Sequence, residues 1–351
     1  STLGAFPNSD GSEVLFKDST SAVVLRCAGL KVVDAAGTTL PARFDVRPRV
    51  LRLVIEDAEA IYPITVDPVF TTPSWTLYGG QTGAFLGRNA VTAGDVNKDG
   101  YSDVIVSAHN YDNGQTDEGR LYLFLGSATG LSTTPAWIAE GDQILSSMGW
   151  AAAPAGDVNG DGFADVVVSA VQYDNGETDE GVVFVYHGWL GGLQPSPAIV
   201  LEINQPLARF GHSVSTAGDV NGDGYDDIIV GAYQFENGQT GEGEVLVYIG
   251  GSLGVASSPA WRAESDSVNA HLGVAVGAAG DTNGDGYDDI IAGASGWTNG
   301  HTSEGAAFVW LGGSSGPAAT PAWQTEANNA SAALGTSVAG AGDVNGDGYA
   351  D

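Results

Sequence analysis

The sequence predicts an all-β fold of repeated four-stranded units, and three observations predict it. A nine-residue pattern, Asp-x-Asn-x-Asp-Gly-aromatic-x-Asp, begins at Asp95, Asp157, Asp219, Asp281 and Asp343, every copy 62 residues after the last with no insertion or deletion. After each of the first four copies comes a β-branched apolar run: Val104-Ile105-Val106, Val166-Val167-Val168, Ile228-Ile229-Val230 and Ile290-Ile291-Ala292. A second apolar run follows at Leu121 to Leu125, Val182 to Tyr186, Val245 to Ile249 and Ala306 to Leu311. Runs of this length bounded by Gly are the pattern of buried strands. A fixed period of this size marks units that bury their apolar faces against one another.

Residues 1–68 stand outside the period. Short alternating stretches predict strands at Val14-Leu15-Phe16, Ala22 to Arg26, Leu30 to Val33, Phe44 to Val46 and Val50 to Ile55, with a turn at Asp34-Ala35-Ala36-Gly37. The segment closes on Tyr62-Pro63-Ile64-Thr65-Val66-Asp67-Pro68, where the prolines suit a domain exit. We read it as a small all-β module. Cys27 is the only cysteine, which excludes an intramolecular disulfide and suits a small buried hydrophobe in a strand.

From residue 69 to 351 the repeat takes over. Each unit offers one strand leading into the Asp-rich loop, one leaving it, a third after an Asn-Gly turn, and a fourth carrying a Pro-x-aromatic mark. That mark falls at Trp75, Trp137, Trp261 and Trp323, with Ile199 in the remaining slot. The Trp side chains are expected in the core between units. An x-Gly mark recurs at Leu86-Gly87, Met148-Gly149, Phe210-Gly211, Leu272-Gly273 and Leu334-Gly335. Four antiparallel strands at fixed spacing describe a β-propeller blade. The repeats amount to about 4.6 units, and the chain stops on Asp351, the last residue of the fifth loop, so a C-terminally incomplete propeller is expected.

Each Asp-rich loop reads as a calcium loop. Asp95, Asn97, Asp99 and Asp103 offer side-chain oxygens and Tyr101 its backbone carbonyl. The same roles fall to Asp157, Asn159, Asp161, Phe163 and Asp165, then to Asp219, Asn221, Asp223, Tyr225 and Asp227. They recur in Asp281, Asn283, Asp285, Tyr287 and Asp289, and in Asp343, Asn345, Asp347, Tyr349 and Asp351. Oxygen donors at alternate positions, with Gly at the sixth, wrap a chain around a hard cation such as Ca²⁺, whereas Zn²⁺ would call for Cys or His. All ligand positions are filled from the loop, so four to five structural rather than catalytic sites are expected.

These residues resemble the FG-GAP repeats of integrin alpha subunits and of bacterial secreted proteins, over about four-fifths of the chain. The carrying motif is Ala-Gly-Asp-Val-Asn-Gly-Asp-Gly-Tyr-x-Asp-Ile-Ile-Val-Gly-Ala. The resemblance implies a seven-bladed propeller with Ca²⁺ between the first and second strands of a blade. Residues 30–68 look like the β segment that precedes such arrays in bacterial exported proteins. The chain departs from the pattern in having one true Phe-Gly, at Phe210-Gly211. His109, Val171, Tyr233 and Ser295 also replace the Pro of Gly-Ala-Pro. No partner subunit or adhesion domain accompanies the repeats, so integrin-style ligand recognition does not carry over.

Twelve basic against 43 acidic residues give a net charge of −31. Nucleic acid and anionic membranes are poor partners for such a surface. No stretch is long and apolar enough to span a bilayer as a helix. The chain opens at Ser1 without a charged or apolar leader, as a mature protein or a fragment would. An extracellular or bacterial cell-surface location follows from the calcium loops alone, because millimolar calcium is an extracellular condition.

A second loop repeats as faithfully: Asn113-Gly114, Asn175-Gly176, Asn237-Gly238 and Asn299-Gly300, preceded in one register by Tyr111, Tyr173, Phe235 and Trp297 and closed by Glu118, Glu180, Glu242 and Glu304. Strand alternation puts it at the end of the blade opposite the Asp-rich loops. An aromatic ring there can stack on a sugar or grip a protein loop. The plainer reading is a hairpin turn with an aromatic packed against the next blade. Asn329-Ala330-Ser331 matches a glycosylation sequon, at a frequency near chance. The five His (His109, His187, His212, His271 and His301) share no catalytic spacing. No enzyme is expected. The sequence thus reads as a calcium-stabilised extracellular binding or adhesion module for a protein or glycan. A polysaccharide lyase-like enzyme on a propeller and a passive assembly repeat are the alternatives.

Overall fold

A computed structural model describes residues 4–8, 11–17, 23–47, 50–58, 60–70 and 75–351. Two compact units divide the chain, residues 1–77 and 78–351. Every regular element in the described residues is a strand or an isolated bridge.

In the first unit Gly4–Pro7, Val14–Lys17, Val23–Val33 and Thr65–Phe70 form one antiparallel sheet in that order, and Ala42–Arg47 pairs with Val50–Ile55. The two strands expected at Ala22–Arg26 and Leu30–Val33 are one, Val23–Val33, which absorbs the expected break as a register shift between Ala28 and Lys31. Ala22 lies outside the described residues, as does the Cys27 side chain. The Asp34 turn forms as expected: its carboxylate accepts the N–H groups of Ala36 at 3.0 Å, Thr38 at 2.7 Å and Ile61 at 3.3 Å. Those bonds hold its pKa below the ordinary range, the Thr38 bond most.

In the second unit four successive four-stranded antiparallel sheets follow the 62-residue period. The first is Leu86–Gly94, Asp103–Ala108, Arg120–Phe124 and Trp137–Glu140. The others are Met148–Gly156 to Ile199–Leu201, Ser213–Gly218 to Trp261–Glu264, and Leu272–Gly280 to Trp323–Glu326. Strand order in each sheet is chain order, and the first strand of each sheet lies against the first strand of the next. These are propeller blades. The second strand is buried along its whole length in two of the four, as in Asp165–Ala170 and Asp227–Ala232, which is why its sequence is a continuous apolar run. The second blade adds a small hairpin, Gly188–Trp189 with Gly192–Leu193, that the repeat pattern does not announce.

The core lies between sheets. One cluster joins Leu121 and Leu123 of the first blade to Val166 and Val168 of the second, and equivalent clusters join the second to the third and the third to the fourth. Trp137 is 8% exposed, packs edge-on against Tyr186 of the next blade, and donates its indole N–H to the Gln194 carbonyl at 3.0 Å. Trp261 does the same to Ala318, at 3.0 Å, against Trp310. Trp323, with no following blade over it among the described residues, is 52% exposed. In the fifth unit residues 334–351 form their Asp-rich loop, with a single bridge from Leu334 to Gly305 and no strand among the described residues.

Candidate metal centre

All five Asp-rich loops adopt one conformation, set by their own side chains. In the first, Asp95 accepts the N–H groups of Asp99 at 3.0 Å and Gly100 at 2.8 Å. Asn97 Oδ1 also accepts the Asp99 N–H, at 3.1 Å, and Asp99 accepts that of Tyr101 at 3.0 Å. The last aspartate ties the loop to the sheet: Asp103 accepts the N–H of Val96 at 2.9 Å and that of Gly126, beyond the third strand, at 2.8 Å. Asp165, Asp227 and Asp289 repeat this weld onto Gly188, Gly250 and Gly312, each at 2.8 Å. These four aspartates are fully buried.

Burial pushes the carboxyls of Asp165 and Asp227 up to about 7, against the pull of their two N–H partners, and the other two aspartates of each loop add to the rise. Asp103 rises for the same reason. A buried carboxylate with two more beside it and no cationic side chain on it is a charge without its complement. The donor set is all oxygen, and one buried charge is uncompensated, so these residues fit a hard cation of the Ca²⁺ kind. Here each loop's carboxylates hold backbone N–H groups, and none of the loops draws three carboxylate groups within 4.8 Å of one another among the described residues.

Neighbouring loops are joined. The N–H at the eighth position of each later loop donates to the first-position carbonyl of the loop before it: Ala164 to Asp95 at 3.1 Å, Asp226 to Asp157 at 3.3 Å, Asp288 to Asp219 at 3.1 Å and Ala350 to Asp281 at 3.0 Å. The seventh-position aromatic covers the fourth-position Gly of the loop before. A Cβ on Gly160 would stand 2.6 Å from the Tyr225 ring, and Gly160 also has φ +73°, so this position is glycine twice over. The first loop breaks the pattern with Lys98, at φ +60°. Its ammonium lies 5.3 Å from the Phe163 ring centroid and donates to the Asp161 carbonyl at 3.3 Å.

At the other end of the blades the Asn-Gly loops are held by buried glutamates. Glu180 accepts the Asn175 N–H at 2.8 Å and Glu304 that of Asn299 at 2.7 Å, while Glu118 and Glu242 hold Asn113 and Asn237 in the same way. The asparagine amides reach the last strand, Asn113 to Glu140 and Asn237 to Glu264, both at 2.8 Å. The four aromatics in register are half-buried. Tyr173 packs edge-on to Phe184 and Trp297 to Phe308, Phe235 joins the core between the second and third blades, and Tyr111 lies under the Arg120 guanidinium at 3.8 Å.

Two features at this end escaped sequence reasoning. Gln81, Gln143 and Gln205 each clasp the Asn-Gly loop through a pair of bonds to one backbone position; Gln143 donates to the Asp174 carbonyl at 3.0 Å and accepts its N–H at 2.7 Å. Their signal was a Gln at the 62-residue period in a polar stretch. The other is a chain of rings across three blades. His109 meets Trp150 at 5.5 Å, Trp150 meets His212 at 5.7 Å, His212 meets Tyr233 at 4.3 Å and Tyr233 meets His271 at 5.6 Å, with Arg88 3.6 Å over the Trp150 ring. Burial holds all three imidazoles below their ordinary pKa.

Comparison with known proteins agrees with this architecture. The FG-GAP repeat family model matches residues 210–248 and 273–310, and the FG-GAP-like repeat model matches residues 95–168. Residues 95–168, 210–248 and 273–310 thus match FG-GAP-type repeats, and the repeat region is similar to part of integrin alpha chains. Integrin alpha-IIb of Mus musculus is 36% identical over 183 residues, covering 50% of this chain and 17% of its own length. Integrin alpha-5 of Xenopus laevis is 30% identical over 191 residues (52% and 18%), and integrin alpha-PS2 of Drosophila melanogaster 35% over 172 residues (45% and 12%). The chain thus spans less than a fifth of these relatives. Among solved structures, that of the exotype rhamnogalacturonan lyase YesX aligns over 95% of this chain and 65% of its own, at 13% identity and a TM-score of 0.42, a likeness that carries no argument. No helix among the described residues is long and apolar enough to cross a membrane.

Proposed function

We propose that this chain is a calcium-stabilised adhesion module of the extracellular space or a bacterial surface. It takes a glycan or a protein loop at the end of the blades opposite the Asp-rich loops. Ca²⁺ is held in each loop by the side-chain oxygens of positions 1, 3, 5 and 9 and the carbonyl of position 7, and its part is structural. Two clefts at equivalent places between blades carry the reading of ligand binding. One, of about 540 Å³, runs between Glu140 and Asp142 of the first blade and Tyr173, Phe184 and Tyr186 of the second. The next, of about 400 Å³, runs between Glu202 and Asn204 of the second blade and Phe235, Tyr248 and Arg262 of the third. An aromatic floor with a polar rim suits a sugar ring or an aromatic side chain. The similarity to integrin alpha chains supports adhesion over catalysis.

The test is a glycan-array screen of the protein in millimolar calcium and again in chelator. A calcium-dependent hit lost in Tyr173→Ala and weakened in Phe235→Ala supports the lectin form of the proposal. No hit from protein that calcium demonstrably stabilises would remove the glycan and leave a protein ligand, to be sought by crosslinking at the same clefts.

A further inference from the structure

We propose that Glu242, Glu264 and Asp266 form a second kind of divalent-cation site, at the end of the third blade away from its Asp-rich loop, and that it takes Ca²⁺. The three side chains each bring an oxygen within 4.8 Å of the others, the one such group among the described residues. Glu242 is fully buried. One of its oxygens accepts the Asn237 N–H, and the other is buried with no hydrogen-bond partner. Glu264 spends Oε2 on the Asn237 amide at 2.8 Å, which leaves Oε1 for a ligand, and Asp266 is exposed beside them. Fixing one oxygen of each glutamate on Asn237 aims the other, as an ordered partner shell does at a metal site.

The sister blades supply the contrast. In the first blade the same three positions are Glu118, Glu140 and Asp142, and Arg120 forms an ion pair with Glu140. In the second and fourth blades the third position is Asn204 and Asn328, and Glu326 is taken up by Asn299, Gln324 and the Trp297 indole. Only the third blade keeps three carboxylates with no cationic side chain on them. Where the first blade has Arg120, the third has Glu244, directly opposite Glu264 in the ladder, and the nearby Arg262 pairs with Glu244 at 3.1 Å. A fixed positive charge has been exchanged for a negative one at the position where a cation would stand. Carboxylate oxygens without His or Cys select a hard ion, with water completing the shell.

Two measurements test this together. Crystals grown in calcium and soaked in Mn²⁺ should show an anomalous peak among Glu242, Glu264 and Asp266, in addition to any at the Asp-rich loops. In solution, equilibrium dialysis against radioactive calcium at millimolar concentration should give one ion fewer per chain for Asp266→Asn than for the parent. That variant installs the residue native to positions 204 and 328, so its fold is expected to survive, and its melting temperature in chelator should equal the parent's. Glu244→Arg, which copies the first blade, should lose the same ion. Equal calcium counts in parent and both variants, or Mn²⁺ peaks at the Asp-rich loops alone, would overturn the proposal.

Discussion

The two ends of each blade solve opposite problems with the same residue class. At the Asp-rich end, the fully buried Asp103, Asp165, Asp227 and Asp289 sit among further carboxylates, and Lys98 is the one cationic side chain within these loops. At the Asn-Gly end the buried glutamates hold a hairpin closed, and the residues around them change from blade to blade: Tyr111, Tyr173, Phe235 and Trp297 in one register, Arg120, Val182, Glu244 and Ala306 in another. Invariance at one end and drift at the other separate what holds the blades together from what the blades present.

Withdrawing calcium should break that contrast with the largest effect. At about ten times Kd each occupied site adds about 1.4 kcal/mol, so several sites amount to a large share of the ~5–15 kcal/mol stability of a domain. Calorimetry in millimolar calcium and in chelator is expected to show a steep fall in melting temperature, and identical melts would refute metal at this end. Phe210→Ala comes next. The ring is fully buried between blades against Tyr248, and its removal should cost about 3–5 kcal/mol. Equal losses in denaturant titrations with and without calcium would locate it in the core; a loss confined to calcium would tie it to the loops.

A smaller effect sharpens the Asp-rich end. Gly160→Ala meets both the Tyr225 ring and a left-handed backbone, and should cost about 1–2 kcal/mol and weaken calcium binding at the joined loops. The smallest effect belongs to the other end. His109 has a pKa lowered first by burial and then by Arg88. On acidification the unfolded chain takes up a proton near pH 6.5 that the folded imidazole still refuses, so stability falls as pH drops through that window and is regained above it. His109→Phe, melted in chelator beside the parent across pH 5 to 7, should lose less stability on acidification; parallel curves would exclude the histidine.

Much of this was legible in the sequence because the period forced it. The second strands, the Asn-Gly hairpins and the aspartate at each loop's last position are local patterns, and a strict repeat fixes their register. Contacts between units were harder. The Gln143 clasp is two hydrogen bonds from a residue type common in any polar loop. His109, His212 and His271 are linked through Trp150 and Tyr233 because the first strands of successive blades lie side by side, an adjacency that no spacing along the chain displays. The local pattern of Val23–Val33 breaks near Ala28 and so predicts two strands, whereas the ladder continues there through a register shift.

The joined loops also say how such a chain can grow. Each loop's first carbonyl and fourth residue are matched to the eighth amide and seventh ring of its successor. A residue added inside one loop would therefore spoil two neighbours at once, whereas a duplicated unit cut at equivalent points brings its own matching halves. Changes of length inside the Asp-rich loops are thereby disfavoured relative to gain or loss of a whole 62-residue unit, and the Lys98–Phe163 contact shows that a seam tolerates a different residue at the fourth position.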